Sequence, residues 1–426
     1  MAIKIAVIGA ASSYTPELFS NLIDFRGQLD VEQVTLMDPN LEKVTLIAEV
    51  SRRLLEGSDM RIQIVTTQER KEAIAGADFI ILQIRVGGLA ARIRDERLPM
   101  EFGLVGNETT GAGGFACALR TIPVAVDIGR DIEQISPQAW LMNLSNPAGI
   151  VTEAILKHTR VHTIGFCNIP INTQYDLGKV LHVPPSRIRL DSIGLNHLSW
   201  VRGAYVDEQE MLQPLIEKTR SRRSVLYREG LVDELIDPEW LQSLRMIPGW
   251  YLRYFYYPEQ VLEEDRRRVR SYGEEDLLAE EKLMQIFSTT GYNQEARQIL
   301  ASKGGAQYYL PVLHVIDSMI YDRGELVIVD VRNGSALPDL PPEGCVEIPA
   351  RISNQAVEPI PLGPLPLCVR GLVQSVKAYE ELTIQAAMNL DRGAAMAALM
   401  VHPLVGTYPK TREFLNRALE NEWHQA

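Results

Sequence analysis

Residues 3–17, IKIAVIGAASSYTPE, carry the clearest structural pattern in the chain. The first six of these residues, Ile3–Ile8, are mostly apolar and predict a buried β-strand, and Gly9 with the small residues after it predicts a tight turn. A helix is expected next, with Thr15 as its N-cap and Pro16 at its first position. A strand, a small-residue turn and a helix N-terminus together can hold a pyrophosphate on free backbone N–H groups.

The rest of the first third of the chain alternates short apolar runs with helical stretches, as a parallel sheet covered on both faces requires. The predicted strands are Ile3–Ile8, Val34–Met37, Ile62–Val65, Phe79–Ile84, Ala139–Leu144 and His162–Phe166. Asp38 ends the second strand, where an acceptor can bind ribose hydroxyls. A lone Gly9 is a weak signal, but the whole set predicts an α/β fold with a Rossmann-like, dinucleotide-binding sheet.

The pattern changes after residue 166, where helical and mixed segments follow. We therefore expect a nucleotide-binding domain over residues 1–166 and a mixed α+β domain over residues 167–426. Residues 333–368 are rich in Pro and Gly and predict loops with short strands. One long helix is expected over Val376–Val401, with its apolar face in the core or in a subunit interface.

Composition limits the possible partners. The chain has 426 residues, 46% of them apolar, and a net charge of −12. No stripe of Lys or Arg is available to neutralise phosphates, so a nucleic-acid partner is not expected. No leader and no apolar run of membrane-spanning length is recognised, and four irregularly spaced cysteines indicate a reducing compartment. We expect a cytoplasmic protein without a membrane partner.

Two motifs near predicted strand ends carry metal-binding side chains. Cys167 lies in the string Cys-Asn-Ile-Pro after the sixth strand, and His197 ends the string Gly-Leu-Asn-His thirty residues later. A thiolate and an imidazole brought together could hold a divalent metal with positions open for substrate oxygens. A buried free cysteine and a core histidine would look the same, and the spacing alone does not separate the two interpretations.

An aromatic run, residues 250–257, contains four tyrosines. Most of these rings are expected to serve packing. A phenol acts as a base only if nearby positive charge, such as a metal ion, lowers its pKa from about 10. The run therefore permits a catalytic tyrosine without identifying one.

Taken in order, the motifs resemble those of glycoside hydrolase family 4 along nearly the whole chain. They are IAVIGAASSYTPEL (5–18), IRVGGLAARIRDERLP (84–99), GLVGNETTGAGGF (103–115), Ser145-Asn146-Pro147, Cys167-Asn168-Ile169-Pro170, Gly194-Leu195-Asn196-His197, Tyr251-Leu252-Arg253-Tyr254 and RNGSALPDLP (332–341). Two departures stand out: the usual Gly-Gly-Gly turn begins Gly9-Ala10-Ala11, and Asn107 replaces the usual Gln.

The resemblance implies an NAD- and metal-dependent glycosidase, an exception to the two-carboxylate mechanism. NAD takes hydride from C3 of the sugar, a base removes the acidified C2 proton, and the C1 substituent is eliminated. Water then adds, and the hydride returns. The metal is typically Mn²⁺, and the net reaction is hydrolysis.

The resemblance also implies roles for individual residues. Cys167 and His197 match the metal ligands and Tyr251 matches the C2 base. Asn168 follows the metal cysteine where α-specific members tend to have an acidic Asp, which favours 6-phospho-β-glucosides. The remaining implied positions are Arg92, Asn146, Asn168 and, least securely, Arg270 for substrate, and Gly9, Ser13 and Asp38 for the cofactor.

Other interpretations stay open at this point. A lactate- or malate-type dehydrogenase shares the cofactor fold, and a non-catalytic NAD-binding regulator would keep Gly9 and Asp38. Within the family, a neutral or uronic-acid glycoside is the strongest alternative substrate. A homodimer or homotetramer is expected.

Overall fold

The computed structural model describes residues 2–25, 29–303, 307–354 and 356–422. Within these ranges the strands β1–β13 are Ile3–Ile8, Val31–Met37, Gln63–Thr67, Phe79–Leu82, Trp140–Asn143, His162–Gly165, Ile188–Leu195, Leu198–Val206, Gln209–Glu210, Ile247–Pro248, Glu325–Arg332, Cys345–Ile352 and Val357–Pro359. The helices α1–α18 are Thr15–Asp24, Leu41–Glu56, Arg70–Ile74, Gly88–Glu101, Gly111–Ile135, Ala148–His158, Ile169–Leu181, Leu212–Lys218, Val225–Arg228, Pro238–Leu244, Leu252–Tyr256, Pro258–Arg267, Tyr272–Thr289, Gln294–Ser302, Leu310–Tyr321, Leu367–Asn389, Arg392–Val401 and Tyr408–Glu422.

A nine-stranded sheet forms the centre of the fold, in the order β13-β12-β11-β6-β5-β4-β1-β2-β3. The six strands from β6 to β3 are parallel. These are the six predicted strands, with ends shifted by up to three residues, and the Rossmann-like prediction is confirmed. Continuous apolar runs mark them because helices bury both faces of a parallel sheet.

The first helix begins one residue earlier than its predicted cap implies. Thr15 is the first residue of α1 rather than its N-cap, and Tyr14 precedes it. The Thr15 hydroxyl instead accepts a hydrogen bond of 2.8 Å from the Gln83 side chain at the end of β4. The prediction of Thr15 as the cap was therefore wrong, because a neighbouring strand end binds its oxygen, whereas Pro16 lies in the first turn as expected.

Strands late in the chain extend this sheet. β11 pairs antiparallel with β6 through Asp330 and Gly165, and β12 pairs with β11 over its whole length. The expected loops and strands over residues 333–368 thus include β12 and β13. The division of the chain at residue 166 stays a prediction, and residues on both sides of it contribute to one sheet.

A smaller antiparallel sheet follows, in the order β10-β8-β7, with β9 paired to β8. β7 and β8 form a hairpin whose register brings Leu195 opposite Leu198. Its two-residue turn is therefore Asn196-His197, and His197 adopts a left-handed φ of 60°. Hairpin turns of two residues favour positive φ. His197 therefore lies at the end of the β7–β8 hairpin, beyond the last strand pair.

The apolar helices pack inside the fold. α5 is long and apolar enough to cross a membrane by length and composition, but 78% of its apolar window is buried, as in a core helix. The helix predicted over Val376–Val401 is two helices, α16 and α17, separated at Leu390 in the left-handed region. The Asp391 side chain caps α17 by accepting from the Gly393 and Ala394 N–H groups, which explains the break.

Candidate active site

One cleft of about 1100 Å³ runs along the carboxyl ends of β1, β2, β4, β5 and β6. Ligands in such folds bind at this edge, and the volume exceeds the upper end of the usual range for small-molecule sites, about 1,000 Å³. Facing these strand ends are residues from three other segments: Pro248–Tyr251, Glu275, Asp276 and Glu280 of α13, and Ser302 with Lys303.

The turn after β1 contributes Gly9 and Ser13 to the cleft, and Asp38 follows β2. Gly9 has φ +89°, and a Cβ there would lie 2.7 Å from the Gln83 carbonyl oxygen, so glycine is required. One Asp38 oxygen accepts from the Ala11 N–H at 3.2 Å and stabilises the turn. The Ser13 hydroxyl is buried and has no hydrogen-bond partner among the described residues. The turn therefore fits a phosphate group, which would satisfy that hydroxyl.

Cys167 and His197 both line this cleft, Cys167 directly after β6 and His197 in the β7–β8 turn. The described part of the chain holds no cluster of three or more His, Cys, Asp or Glu residues arranged for a metal. A metal held by Cys167 and His197 would fit a catalytic rather than a structural site, because positions would stay open for substrate oxygens. Burial, with the Glu347 charge adding to it, raises the pKa of the Cys167 thiol well above its usual value.

His197 and Tyr251 are in direct contact. Their rings stack with centroids 3.6 Å apart, and both line the cleft. Burial lowers the pKa of His197 to about 3, so the ring is neutral at ordinary pH. Burial and the charges of Cys167 and Glu108 raise the pKa of Tyr251, while a hydrogen bond to Thr109 and the charge of Arg92 lower it. The protein alone therefore holds Tyr251 as a phenol.

Arg92 lies in the cleft wall with its guanidinium paired to three carboxylates. Its Nε is 2.9 Å from Glu96 and 3.2 Å from Glu108, and Asp276 binds Nη1. Arg85 is a second wall arginine, also paired with Glu108. A substrate anion that reached Arg92 would have to share it with these carboxylates.

The other predicted substrate residues divide into two groups. Asn146 and Asn168 line the cleft beside the ends of β5 and β6. Arg270 is exposed in the segment before α13 and does not line the cleft, and its carbonyl oxygen accepts from Arg268 at 3.4 Å. The structure thus brings all the predicted site residues together except Arg270.

One buried residue that supports the site was missed from the sequence. Glu347 of β12 is buried, and its two oxygens accept from Asn196 and Ser199 at 2.9 Å each, one on either side of His197. This glutamate thereby ties the β7–β8 hairpin to the large sheet. The sequence feature that could have identified Glu347 is its position in the apolar run 345–350. An acidic residue is unexpected in a buried strand unless it has a polar or charged partner.

With this geometry in place, comparisons with known proteins decide the family. The model of family 4 glycosyl hydrolases matches residues 4–183, and that of the family's C-terminal domain matches residues 192–405. The chain belongs to family 4 of the glycosyl hydrolases. The resemblance inferred from the motifs is confirmed, and this glycosyl hydrolase is an enzyme.

Relatives and solved structures agree with this placement. The hydrolase is 33% identical over 424 residues to a Bacillus subtilis (strain 168) protein named "Probable 6-phospho-beta-glucosidase", covering 98% of this chain and 96% of the relative. It resembles a 6-phospho-β-glucosidase from Thermotoga maritima solved with manganese, NAD⁺ and glucose 6-phosphate, with TM-score 0.90, 28% identity and coverage of 99% and 98%.

The likeness to dehydrogenases extends to the fold alone. Malate dehydrogenase from Plasmodium falciparum matches with TM-score 0.56 and 14% identity, over 92% of this chain and 99% of the other. The shared sheet explains why a dehydrogenase was a reasonable alternative from the sequence.

Proposed function

We propose that this family 4 hydrolase cleaves 6-phospho-β-glucosides by oxidation, elimination, addition and reduction, with no net redox change. The observation that carries the proposal is that Cys167, His197 and Tyr251 line the same cleft as the Gly9 turn. A nucleotide on that turn and a metal beside Tyr251 would both reach one sugar. Relatives with the same architecture are named for this substrate.

The chain's residues then have distinct tasks. When bound, NAD supplies reversible hydride transfer at C3 and a divalent metal, most simply Mn²⁺, supplies positive charge beside the sugar oxygens. Gly9, Ser13 and Asp38 would hold the nucleotide, and Cys167 with His197 would hold the metal. Tyr251 takes the proton from C2 as the general base.

Tyr251 needs help from outside the protein to act as that base. Its pKa is raised by burial in the structure as it stands. A nearby dication favours the phenolate, because opposite charge stabilises the ionised form. Because the His197 ring stacks on Tyr251, a metal held by His197 would supply that positive charge.

Asn168 supports β specificity. Its amide cannot donate a proton as an acid, so departure of the C1 substituent has no carboxylic acid at this position. Asn168 and Asn146 lie at neighbouring strand ends and would bind sugar hydroxyls. Arg92 is the wall residue best suited to an anionic substrate, because its planar fork matches phosphate oxygens, and Arg270 stays a prediction.

The proposal also covers the roles of the two predicted domains, the oligomeric state and the cellular location. Residues 1–166 would bind NAD, and residues 167–426 would bind metal and substrate and form subunit contacts. We propose a homodimer or homotetramer that acts in the cytoplasm on a small phosphorylated glycoside.

A panel of chromogenic glycosides tests the proposal. It contains α and β anomers of glucoside 6-phosphate, glucoside and glucuronide, assayed with NAD, Mn²⁺ and a thiol reductant. We expect turnover of the phosphorylated β-glucoside to exceed that of every other member. Preference for a neutral glycoside, a glucuronide or an α-anomer would contradict the substrate assignment.

A further inference from the structure

We propose that Thr109, held by Asn107, is a positioning residue that fixes the tautomer of His197 and leaves Nε2 free to accept a metal ion. The statement about metal binding rests on the proposed function, whereas the assignment of the His197 tautomer does not. Thr109 lies in the segment before α5 and is buried beside the β7–β8 turn.

Asn107 orients the Thr109 hydroxyl. The Asn107 Oδ1 atom accepts from the Thr109 N–H at 2.9 Å and from the Thr110 N–H at 3.0 Å. Two backbone donors identify this atom as the oxygen of the amide. The Thr109 hydroxyl donates to the same oxygen at 3.0 Å. Because a hydroxyl carries one hydrogen, this bond uses the only one that Thr109 has.

The remaining lone pairs of Thr109 face His197. Nδ1 of His197 lies 3.0 Å from the Thr109 oxygen. With its hydrogen directed to Asn107, that oxygen can only accept, so Nδ1 must carry the proton. A neutral imidazole has one N–H, and Nε2 is then the bare nitrogen that can bind a metal.

Tyr251 is a second neighbour of the Thr109 hydroxyl. Their hydrogen bond lowers the pKa of Tyr251, which means that it stabilises the phenolate. The Thr109 hydrogen would therefore turn from Asn107 to Tyr251 when the phenol ionises, and the Thr109 oxygen would still accept from His197. If the Thr109 hydrogen pointed to His197 instead, Asn107 would lose one hydrogen bond. Nδ1 would then be the acceptor, so Nε2 would carry the ring proton and could not bind a metal.

The length of the Asn107 side chain matters for this network. Its oxygen reaches N–H groups two and three residues later, as short Asn side chains do in turns. This is the position where the family's usual Gln is replaced. In this chain the shorter side chain both closes the turn and directs the hydroxyl.

The test begins with the metal-free enzyme. Selective ¹⁵N-histidine labelling and long-range ¹H–¹⁵N NMR report which ring nitrogen is protonated, and His197→Gln assigns the signal. We expect His197 to be protonated at Nδ1 in the wild type and in Thr109→Ser, which keeps the hydroxyl. Protonation at Nε2 in the wild type would overturn the proposal, whether or not the enzyme is active.

Variants then test the consequence for metal binding. Thr109→Val keeps shape and removes the hydroxyl, so the tautomer preference should be lost, and the Mn²⁺ Kd from EPR should weaken by about 10–100-fold, as for other outer partners of metal histidines. Thr411→Val is the matched control, since that buried hydroxyl donates to the Thr407 carbonyl far from the cleft. A Thr109→Val protein with the wild-type tautomer and Kd would contradict the proposal.

Discussion

The rings of His197 and Tyr251 lie face to face, with centroids 3.6 Å apart and planes 8° from parallel. One is the proposed metal ligand and the other the proposed base. A shift of either ring would disturb this stack, because the two faces are in van der Waals contact. A substitution at one of these two residues would therefore affect the position of the other.

Replacing Tyr251 by Phe should remove the base while keeping the ring stack. Folding and NAD binding should be retained, and kcat should fall by about 10²–10⁴, as for loss of general-base catalysis. Steady-state kinetics with a 6-phospho-β-glucoside and Mn²⁺ measure this. Near-normal turnover in Tyr251→Phe would assign the base to another group.

The neighbouring tyrosines provide controls. The Tyr256 hydroxyl accepts from Trp200 at 3.1 Å, and the Tyr257 hydroxyl accepts from the Asp237 N–H at 3.1 Å. Tyr256→Phe and Tyr257→Phe should therefore change kcat far less than Tyr251→Phe. Tyr254 is a poorer control, because it lines the cleft and lies beside Tyr251.

Substitution of the proposed metal ligands should weaken metal binding without weakening nucleotide binding. Cys167→Ala and His197→Ala should each abolish turnover and weaken Mn²⁺ binding. The reason is that either substitution leaves only one of the two proposed protein ligands. NAD affinity, measured by calorimetry, should change little, since Gly9, Ser13 and Asp38 belong to other elements. A Cys167→Ala enzyme active in metal-free buffer would remove the metal assignment.

Mn²⁺ affinity should depend on pH. The pKa of the Cys167 thiol is raised in the metal-free protein, so a metal must displace a proton to bind the thiolate. Affinity should therefore rise with pH, by about tenfold per unit while the thiol is protonated. His197 adds no proton here, since its pKa is lowered to about 3. An equal Kd at acidic and alkaline pH would contradict a thiolate ligand.

A buried cation should be essential to stability. The Lys377 ammonium is buried and lies 2.6 Å from Glu153, 2.6 Å from the Cys345 carbonyl oxygen and 2.5 Å from Glu380. Lys377→Met leaves Glu380 without its ion-pair partner and leaves Glu153 with Lys157 alone, and loss of one partner of a buried pair typically costs about 3–5 kcal/mol. Denaturant unfolding at fixed protein concentration measures the loss.

An exposed lysine gives the comparison for that measurement. Lys179 pairs with Asp176 on the surface of α7, and exposed pairs contribute less than about 1 kcal/mol. Lys179→Met should therefore unfold near the wild-type denaturant concentration. Equal effects of the two substitutions would mean that the Lys377 cluster does not stabilise the fold.

Much of the fold was predictable because local patterns and tertiary structure agree. The six parallel strands are buried on both faces, so each reads as an apolar run. The Gly9 turn was predictable because the backbone contact with Gln83 excludes a side chain. The position of Cys167 and His197 in the cleft was predictable from their motifs near strand ends, whereas their role as metal ligands stays a prediction.

Other features depend on contacts between distant residues. The sequence around Thr15 does not show that Gln83 will donate a hydrogen bond to its hydroxyl. The sequence of β12 does not show that Glu347 will accept hydrogen bonds from residues beside His197. The break at Leu390 follows from a left-handed residue that no composition rule requires. Arg270 was assigned by approximate spacing, and the structure places it outside the cleft.

In the proposed mechanism the hydride returns to C3 after the C2 proton has exchanged with solvent. The direct test is ¹H NMR of glucose 6-phosphate released from a 6-phospho-β-glucoside in D₂O with NAD and Mn²⁺. The mechanism predicts deuterium at C2 and the original hydrogen at C3, with no accumulation of NADH. A product that keeps hydrogen at C2, or stoichiometric NADH, would contradict it.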